Sequence, residues 1–139
     1  MSSEIVQRFQ DLYRVLDRNR LHLLEDVYSR DVVFVDPAHR VEGLPALIEY
    51  FRRMYEGVAE IGFEFDEVLA EHDRAFLSWS MRMRHTRLRP RQVLELPGAS
   101  FIRFDGQVCF HRDYFDLGAL VYERIPVLGN AVKAVRNRL

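Results

Sequence analysis

The chain has 139 residues, of which 48% are hydrophobic and 29% charged, and its formal net charge is -1. A chain of this size forms one domain with a single substantial core, and the composition excludes an intrinsically disordered protein. No apolar run approaches the roughly 18 residues of a membrane span, and the start of the chain has no signal-peptide pattern, so no integral membrane association is expected. We therefore expect a cytoplasmic protein, and the single cysteine, Cys109, is compatible with a reducing compartment.

The first part of the chain has helical periodicity. Two apolar stripes, separated by the polar residues 17–20, predict two helices in a hairpin. The stripes are Ile5, Phe9, Leu12 and Leu16, then Leu21, Leu24, Val27 and Tyr28.

A short buried strand, Val32–Val35, follows this hairpin and ends at Asp36-Pro37, because proline cannot donate to a strand ladder. A loop then leads to Gly43. A third, amphipathic helix is predicted from Leu44 to Tyr55, with Gly57 near its end.

From Gly62 the hydrophobic period changes to two, which predicts strands. Turn signals at 71–74, 88–91 and 105–106 divide this half into four strands of an antiparallel meander. Together with the helices this gives an α+β domain, in which the N-terminal helices pack in the concave side of a curved, cone-shaped antiparallel sheet, a cystatin-like roll. We assign this domain to residues 1–116.

Residues 117–139 form a C-terminal extension that is broken by Pro126 and Gly129. Beyond Gly129, apolar residues alternate with Lys133, Arg136 and Arg138, which predicts a short basic amphipathic helix. Two interpretations stay open: this helix covers a sheet edge or a partner subunit, or it makes a weak membrane-surface contact.

The last predicted strand, Val108–Asp116, brings titratable residues into the interior. Side chains alternate along a strand, so Cys109, His111, Asp113 and Phe115 should share one face. Burial of unpaired titratable groups costs roughly several kcal/mol, so the histidine and the aspartate are either satisfied by partners or used in function.

These elements resemble a known superfamily. The chain contains, in order, two helices, Val35-Asp36-Pro37 at a strand end, a helix after Gly43 and a sheet ending in His111-Arg112-Asp113-Tyr114-Phe115. This order of elements and these motifs are similar to those of the nuclear transport factor 2-like superfamily. Within it, the chain is most similar to the SnoaL-like polyketide cyclases and ketosteroid isomerases, over about residues 5–116. The resemblance implies a small-molecule enzyme that performs acid/base chemistry without a cofactor: isomerisation, cyclisation or hydration of a hydrophobic carbonyl or polyketide-like substrate.

The resemblance also implies catalytic roles. The proton-shuttling aspartate of ketosteroid isomerases lies in an Asp-Pro step at the end of the first strand, which matches Asp36. Those enzymes also have two hydrogen-bond donors for the oxyanion. Counting residues back along the chain places the first donor position at Leu12 and the second at Ser100. The neighbouring Tyr13 should be turned away on the helix. That donor pair is therefore missing or rebuilt, and steroid isomerisation by the same mechanism is not expected.

SnoaL-like cyclases instead use an aspartate on the last strand, which matches Asp113, and His111 would orient it or donate to an oxyanion. Structural alternatives remain for all three residues. Asp36 could accept hydrogen bonds from the 38–40 loop, His111 could be a satisfied core histidine, and Asp113 could pair with an arginine.

A hydrophobic small molecule is predicted to bind on the concave side of the sheet. For the apolar members of the predicted lining set, core packing is the alternative. The predicted lining residues are Tyr28, Tyr50, Phe51, Met54, Trp79, Met81, Met83, His85, Ser100 and Phe115.

The opposite sheet face mixes arginines with aromatic rings, among them Phe101, Arg103, Arg112 and Tyr114. This mixture is typical of protein interfaces, and the family resemblance implies a homodimer through the same face. Rings beside basic residues also suit single-stranded nucleic acid, but the net charge of -1 weighs against it, so no nucleic-acid partner is expected.

The histidines lack paired metal-ligand spacing, and the sequence has neither a glycine-rich phosphate loop nor a serine nucleophile elbow. We therefore expect no metal and no cofactor. Three classes of function stay open: an enzyme, a non-catalytic binding module for hydrophobic ligands, and a dimerisation scaffold.

Overall fold

Two α-helices and six strands make up the part of the chain that the computed structural model describes, residues 2–86, 92–119 and 137. The helices are α1 (Ser2–Val15) and α2 (Leu44–Tyr55), with a 3-10 helix at Leu21–Asp26 between them. The strands are β1 (Tyr28–Val35), β2 (Arg40–Glu42), β3 (Val58–Glu71), β4 (Arg74–His85), β5 (Leu94–Asp105) and β6 (Gln107–Phe115).

The six strands form one curved, open sheet in the order β2-β1-β6-β5-β4-β3. The predicted α+β class is confirmed, and β3 to β6 form the predicted antiparallel meander. The sheet as a whole is mixed, because β1 pairs with β6 in parallel. Parallel neighbours need a long crossover connection, which α2 and the meander provide here.

The helices cover the inner face of this sheet. Ile5, Phe9, Leu12 and Leu16 are all at most 5% exposed, so the apolar stripe predicted for α1 is confirmed. On α2 the buried residues are Leu44, Leu47, Phe51 and Tyr55. Gly57, with φ of 84°, takes the left-handed conformation just beyond the end of this helix, where glycine is favoured.

Three elements differ from the sequence predictions. The second predicted helix is only the 3-10 turn, and Tyr28 instead begins β1, where it pairs with Val108 of β6. The loop before Gly43 contains β2, which returns along β1 after a turn closed by the hydrogen bond from the Asp36 amide to the His39 carbonyl. Strand β3 begins before Gly62, because that glycine lies within the ladder with β4.

Strand β6 contains a β-bulge at Cys109. Arg103 of β5 faces Phe110 and Phe104 faces Val108, which leaves Cys109 without an opposite residue. Val108 is fully buried, whereas the Cys109 thiol is partly exposed and contacts the carbonyl oxygen of Arg103. The prediction that Cys109 shares the inward face with His111 is therefore wrong, because the extra residue shifts the alternation of side chains.

Two predictions lie outside the described residues: the 88–91 connection, and the basic helix after Gly129 except for residue 137. Among the described residues, no helix is long and apolar enough to cross a membrane.

Candidate active site

A chain of hydrogen bonds runs through the core to Asp113. The hydroxyls of Tyr13 and Tyr28 lie 2.6 Å apart, and the Tyr28 hydroxyl lies 2.7 Å from Nδ1 of His111. Nε2 of His111 lies 2.6 Å from Oδ1 of Asp113. The imidazole is 1% exposed and the Asp113 side chain 18% exposed. These hydrogen bonds thus lead from the buried core to a carboxylate that is partly exposed.

Aromatic rings fix the orientation of His111. The Tyr28 ring lies parallel to the imidazole, with an interplanar angle of 3° and centroids 5.9 Å apart. Phe9 and Phe34 meet the imidazole edge-on at 5.1 and 4.9 Å. Both nitrogens of His111 have partners, so this histidine is satisfied within the core and at the same time directed at Asp113.

A second branch reaches the same carboxylate oxygen from the neighbouring strands. The indole N–H of Trp79 donates to Oγ of Ser100 over 2.9 Å, and Ser100 donates to Oδ1 of Asp113 over 2.6 Å. Because an indole nitrogen can only donate, the serine keeps its own proton for the aspartate. Ser100 lies directly opposite Asp113 in the β5–β6 ladder. Oδ1 therefore has two partners, while no described residue hydrogen bonds to Oδ2.

The position of the Trp79 indole depends on Gly98, its partner in the β4–β5 ladder. A Cβ atom at Gly98 would lie 2.3 Å from Cη2 and 2.7 Å from Cζ2 of the indole. Any larger residue would therefore displace the ring, so glycine is what allows Trp79 to reach Ser100.

Asp36 is held by the turn between β1 and β2. Its Oδ1 accepts hydrogen bonds from the amides of Ala38 and His39, each 2.8 Å long, and its Oδ2 accepts one from the Tyr50 hydroxyl. Nδ1 of His39 lies 3.2 Å from the same hydroxyl oxygen. The loop contacts that formed the structural alternative for Asp36 are thus present, and both carboxylate oxygens have partners.

The parallel pairing of β1 with β6 brings the two aspartates to the same end of the sheet. Phe34 pairs with His111 and Val35 with Arg112, so Asp36 and Asp113 come one residue beyond the last pair. Neighbouring strands lie about 4.8 Å apart. The side chains of Asp36 and Asp113 are 4% and 18% exposed, so neither carboxylate lies in open solvent.

The charge of Asp113 acts on four phenols: Tyr13, Tyr28 and Tyr55, which are buried, and Tyr50, which is half-buried. Burial is the largest cause that raises the pKa of each, and the negative charge of Asp113 raises each pKa further. For Tyr50, the hydrogen bond to Asp36 also raises the pKa of the phenol. All four hydroxyls therefore stay protonated at neutral pH and are available only as neutral donors and acceptors.

Most of the other predicted lining residues lie in the apolar clusters of the structure. Trp79 and Met81 form a second buried apolar cluster with Leu94 and Leu96, and Met83 and Phe115 pack against this cluster. Phe51 lies in the main core.

Met54 and His85 do not join these residues. Met54 is 39% exposed on α2 and belongs to neither apolar cluster. The His85 ring lies against Gly57, where a Cβ atom would come within 2.9 Å of its Cε1 atom.

Sequence reasoning missed two tyrosines. The residue count assigns the first donor position to Leu12 and predicts that Tyr13 points away from the site. In the structure both residues are buried, and the Tyr13 hydroxyl is hydrogen bonded to that of Tyr28. Its spacing of four from Phe9 on α1 was the available signal. Tyr55 is 4% exposed, and its hydroxyl has no hydrogen-bond partner among the described residues, a situation that costs about 1–3 kcal/mol.

Within the described residues, no group of three or more His, Cys, Asp or Glu side chains is placed to hold a metal ion.

Comparison with known proteins identifies the family. The model of the SnoaL-like domain matches residues 9–111. The chain belongs to the SnoaL-like domain family. The match includes Asp36, Ser100 and His111 and ends two residues before Asp113. A search of the curated proteins finds no match.

Solved structures share the fold. A protein from Jannaschia sp. CCS1, described as a SnoaL-like polyketide cyclase, is 17% identical, with 86% of this chain and 90% of that chain covered and a TM-score of 0.71. An NTF2-like protein of unknown function from Burkholderia pseudomallei K96243 is 18% identical, with coverages of 86% and 93% and a TM-score of 0.74.

A third protein, from Catenulispora acidiphila DSM 44928, has a ketosteroid isomerase-like fold and was solved in complex with trimethylamine. It is 16% identical, with 89% of this chain and 93% of that chain covered and a TM-score of 0.73. At these identities the likeness shows the fold, and the function has to be argued from the site.

Proposed function

We propose that this protein is a small-molecule enzyme that uses Asp113 as the acid/base group in cofactor-free chemistry on a hydrophobic carbonyl or polyketide-like substrate. One observation supports this most: two hydrogen-bond branches converge on Oδ1 of Asp113, while Oδ2 receives no hydrogen bond from a described residue. A carboxylate held in this way is fixed in orientation and keeps one oxygen for a proton.

The reaction that fits is proton removal from the carbon next to a carbonyl. Oδ2 of Asp113 takes the proton, the electron pair of the broken C–H bond moves to the carbonyl oxygen as an enolate, and the proton is returned at another atom to complete isomerisation or cyclisation. His111 keeps Asp113 in place by donating from Nε2, because its Nδ1 is occupied by Tyr28.

The second apolar cluster supplies the hydrophobic surface for such a substrate. Trp79 donates to Ser100, the partner of Asp113, and Phe115 lies two residues beyond Asp113 on β6. An apolar ligand packed against the partly buried members of this cluster, Met83 and Phe115, would present its reactive carbon to Asp113. The Catenulispora protein, solved with trimethylamine, supports the view that this fold accommodates small molecules.

Asp36 has a supporting role in this proposal. It contributes a second negative charge at the same end of the sheet and orients the Tyr50 hydroxyl. Both of its oxygens already have partners, which favours Asp113 over Asp36 as the base.

Exchange of α-protons in deuterium oxide tests the proposal without knowledge of the natural substrate. A panel of aromatic ketones and polyketide-like diketones is incubated with the protein, and deuterium uptake is followed by NMR. The wild-type protein should accelerate exchange of at least one ketone, and Asp113→Asn should lower that rate by about 10²- to 10⁴-fold, the usual contribution of a general base.

Binding measurements on the same variants separate an enzyme from a binding module. Asn has the shape of Asp, so ketones that raise the melting temperature of the wild-type protein should also raise that of Asp113→Asn. Ligand binding without exchange by the wild-type protein would contradict the enzyme and favour the non-catalytic binder.

We further propose that two copies of the chain associate through the outer sheet face. Phe76 is 49% exposed and Tyr114 44% exposed on this face, and the Phe76 and Phe101 rings lie 4.8 Å apart. The guanidinium groups of Arg103 and Arg112 lie over the rings of Phe101 and Tyr114, at 5.3 and 5.0 Å from the ring centroids. Sedimentation that shows a monomer at micromolar concentration would contradict this dimer.

A further inference from the structure

The second apolar cluster is buried on a part of the sheet that the two α-helices do not mainly cover. Its members Trp79, Met81, Leu94 and Leu96 are between 1% and 7% exposed and lie on β4 and β5. The main strand contacts of α1 are with β3, and those of α2 are with β1. An apolar sheet face is buried when another element packs on it, so a further segment is needed over this cluster.

The segment that follows β6 reaches this cluster. Apart from Ala119, every described apolar residue in or against the cluster belongs to a strand. Strand β6 ends at Phe115, opposite Gly98, whereas β5 begins at Leu94. The chain therefore leaves β6 beside the part of β5 that carries the cluster, and Ala119 is already packed against it.

Asp116 starts a helix at this point. Its Oδ1 accepts a hydrogen bond from the Ala119 amide over 3.2 Å, and residues 117–119 are helical. A side-chain oxygen that accepts the amide three residues later is the usual N-cap of a helix. The chain thus turns directly from β6 into a helix that begins at Leu117, and the structure describes this helix as far as Ala119.

The residues that continue this helix in the sequence fit the cluster in polarity and in length. No charged residue occurs from Leu117 to Tyr122, and a helix that is apolar on all sides is typically buried. Pro126 ends the helix near Arg124, because a proline disfavours the helical conformation of the residue before it. Residues 117–124 then span about 12 Å. The distance from β6 across β5 to β4 is two strand spacings, or about 10 Å, so the helix is long enough to cover both strands.

We propose that residues 117–124 form one helix that packs on the second apolar cluster of the same chain. Tyr122 follows Ala119 by three residues and lies on the same side of the helix, so the Tyr122 ring meets the cluster. The folded domain then includes this helix and extends beyond the boundary predicted at residue 116.

This packing connects the end of β6 to the candidate active site. Trp79 belongs to the cluster and donates to Ser100, which in turn donates to Asp113. Loss of the helix should therefore loosen one of the two hydrogen-bond branches that hold Asp113. The packing itself does not depend on the proposed function, because it requires neither a ligand nor turnover.

Fluorescence tests the packing, because Trp79 is the only tryptophan of the chain. A variant that ends at Gly118 should emit at longer wavelength than the full chain and should be quenched more strongly by acrylamide, since water would reach the indole. A variant that ends at Gly129 is the matched control: it lacks the basic residues of the tail but keeps the proposed helix, and its emission should equal that of the full chain. Unchanged emission and quenching in the variant that ends at Gly118 would overturn the inference.

A label on the full-length chain answers the same question even if the shorter variant fails to fold. In a Cys109→Ser background, Tyr122→Cys carries a nitroxide, a group that quenches tryptophan emission at close range. This label should quench Trp79. Glu4→Cys is the control, because Glu4 is exposed and lines a cleft with Gly106, at the far end of β5 from the residue that pairs with Trp79. Equal emission with the two labels would contradict the proposed contact.

The helix of a second copy is the other occupant that could cover the cluster, and a mixing experiment distinguishes it. The nitroxide-labelled Tyr122→Cys protein that also carries Trp79→Phe has no tryptophan emission of its own, and it is refolded together with the unlabelled wild-type protein. The emission of the wild-type protein should not change. Quenching in this mixture would place the helix on a neighbouring copy and would overturn packing within one chain.

Discussion

Asp113 and Asp36 lie at the same end of adjacent strands, yet different kinds of contact hold them. Asp113 has two direct side-chain partners, His111 on its own strand and Ser100 on the neighbouring strand. Each of these is held in turn by a buried side chain distant in sequence, His111 by Tyr28 and Ser100 by Trp79. Asp36 is held by amides two and three residues further along the chain and by Tyr50 of the next helix.

This difference distinguishes a carboxylate that stabilises its own turn from one that could take part in a reaction. A carboxylate whose oxygens accept the amides of its own turn stabilises that turn, which aspartate does commonly. The carboxylate of Asp113 is held through one oxygen by His111 and Ser100, and its other oxygen has no hydrogen-bond partner among the described residues. That second oxygen is therefore able to accept a proton. Three predictions follow from this contrast, in decreasing order of expected effect.

The largest effect on the free energy of unfolding should appear at alkaline pH. Tyr13, Tyr28 and Tyr55 are buried phenols, and burial together with the charge of Asp113 raises their pKa values. Their pKa values are higher in the folded than in the unfolded protein, so unfolding releases protons above a pH of about 10. Their contribution to stability is complete below that pH. It should decrease by about 1.4 kcal/mol per pH unit for each phenol as the pH rises.

Urea unfolding measured between neutral and strongly alkaline pH gives this slope. Relative to the wild-type protein, Tyr28→Phe should reduce this slope by about 1.4 kcal/mol per pH unit, because one buried phenol is removed. Equal slopes for Tyr28→Phe and the wild-type protein would contradict the buried network.

The second prediction concerns the contact between Gly98 and Trp79. Gly98→Ala should lower the free energy of unfolding by about 2–3 kcal/mol, because the new methyl group must displace the indole and break its bond to Ser100. Gly62→Ala is the control within the same sheet, since a Cβ atom there meets no heavy atom within 4 Å. A shift of similar size in both variants would indicate a general cost of replacing glycine in these strands.

The smallest effect is expected for Asp36→Asn. The amide oxygen can still accept the Ala38 and His39 amides, so only the hydrogen bond from Tyr50 is lost, at a cost of about 1 kcal/mol in urea unfolding. Asp66→Asn, at an exposed position, serves as the control. If Asp36→Asn also abolished α-proton exchange as fully as Asp113→Asn, the assignment of the base to Asp113 alone would have to be abandoned.

The same contrast explains what the sequence can reveal. The end of β1 at Asp36 follows from the proline after it, and the stripe from Ile5 to Leu16 follows from helical spacing, because both are local rules. The meander was also predictable, since each of its strands pairs with its neighbour in sequence.

The contacts that complete the site were not predictable in this way. That Ser100 faces Asp113 depends on the register of two strands, and the parallel pairing of β1 depends on the path of the whole chain. The bulge at Cys109 changes which residues of β6 face inward, and no sequence pattern around it predicts a bulge. Tyr13 was misplaced because two adjacent helix positions are both buried, which an ungapped count cannot distinguish.

The hydrogen bond between Tyr28 and His111 joins residues 83 positions apart in the chain. A nascent polypeptide can therefore form this contact only after β6 has been synthesised. Folds dominated by such distant pairings are slow to form. The contacts of Asp113, the proposed base, thus form only after β6 has joined β1 and β5, so a folding intermediate without β6 in place would also lack this site.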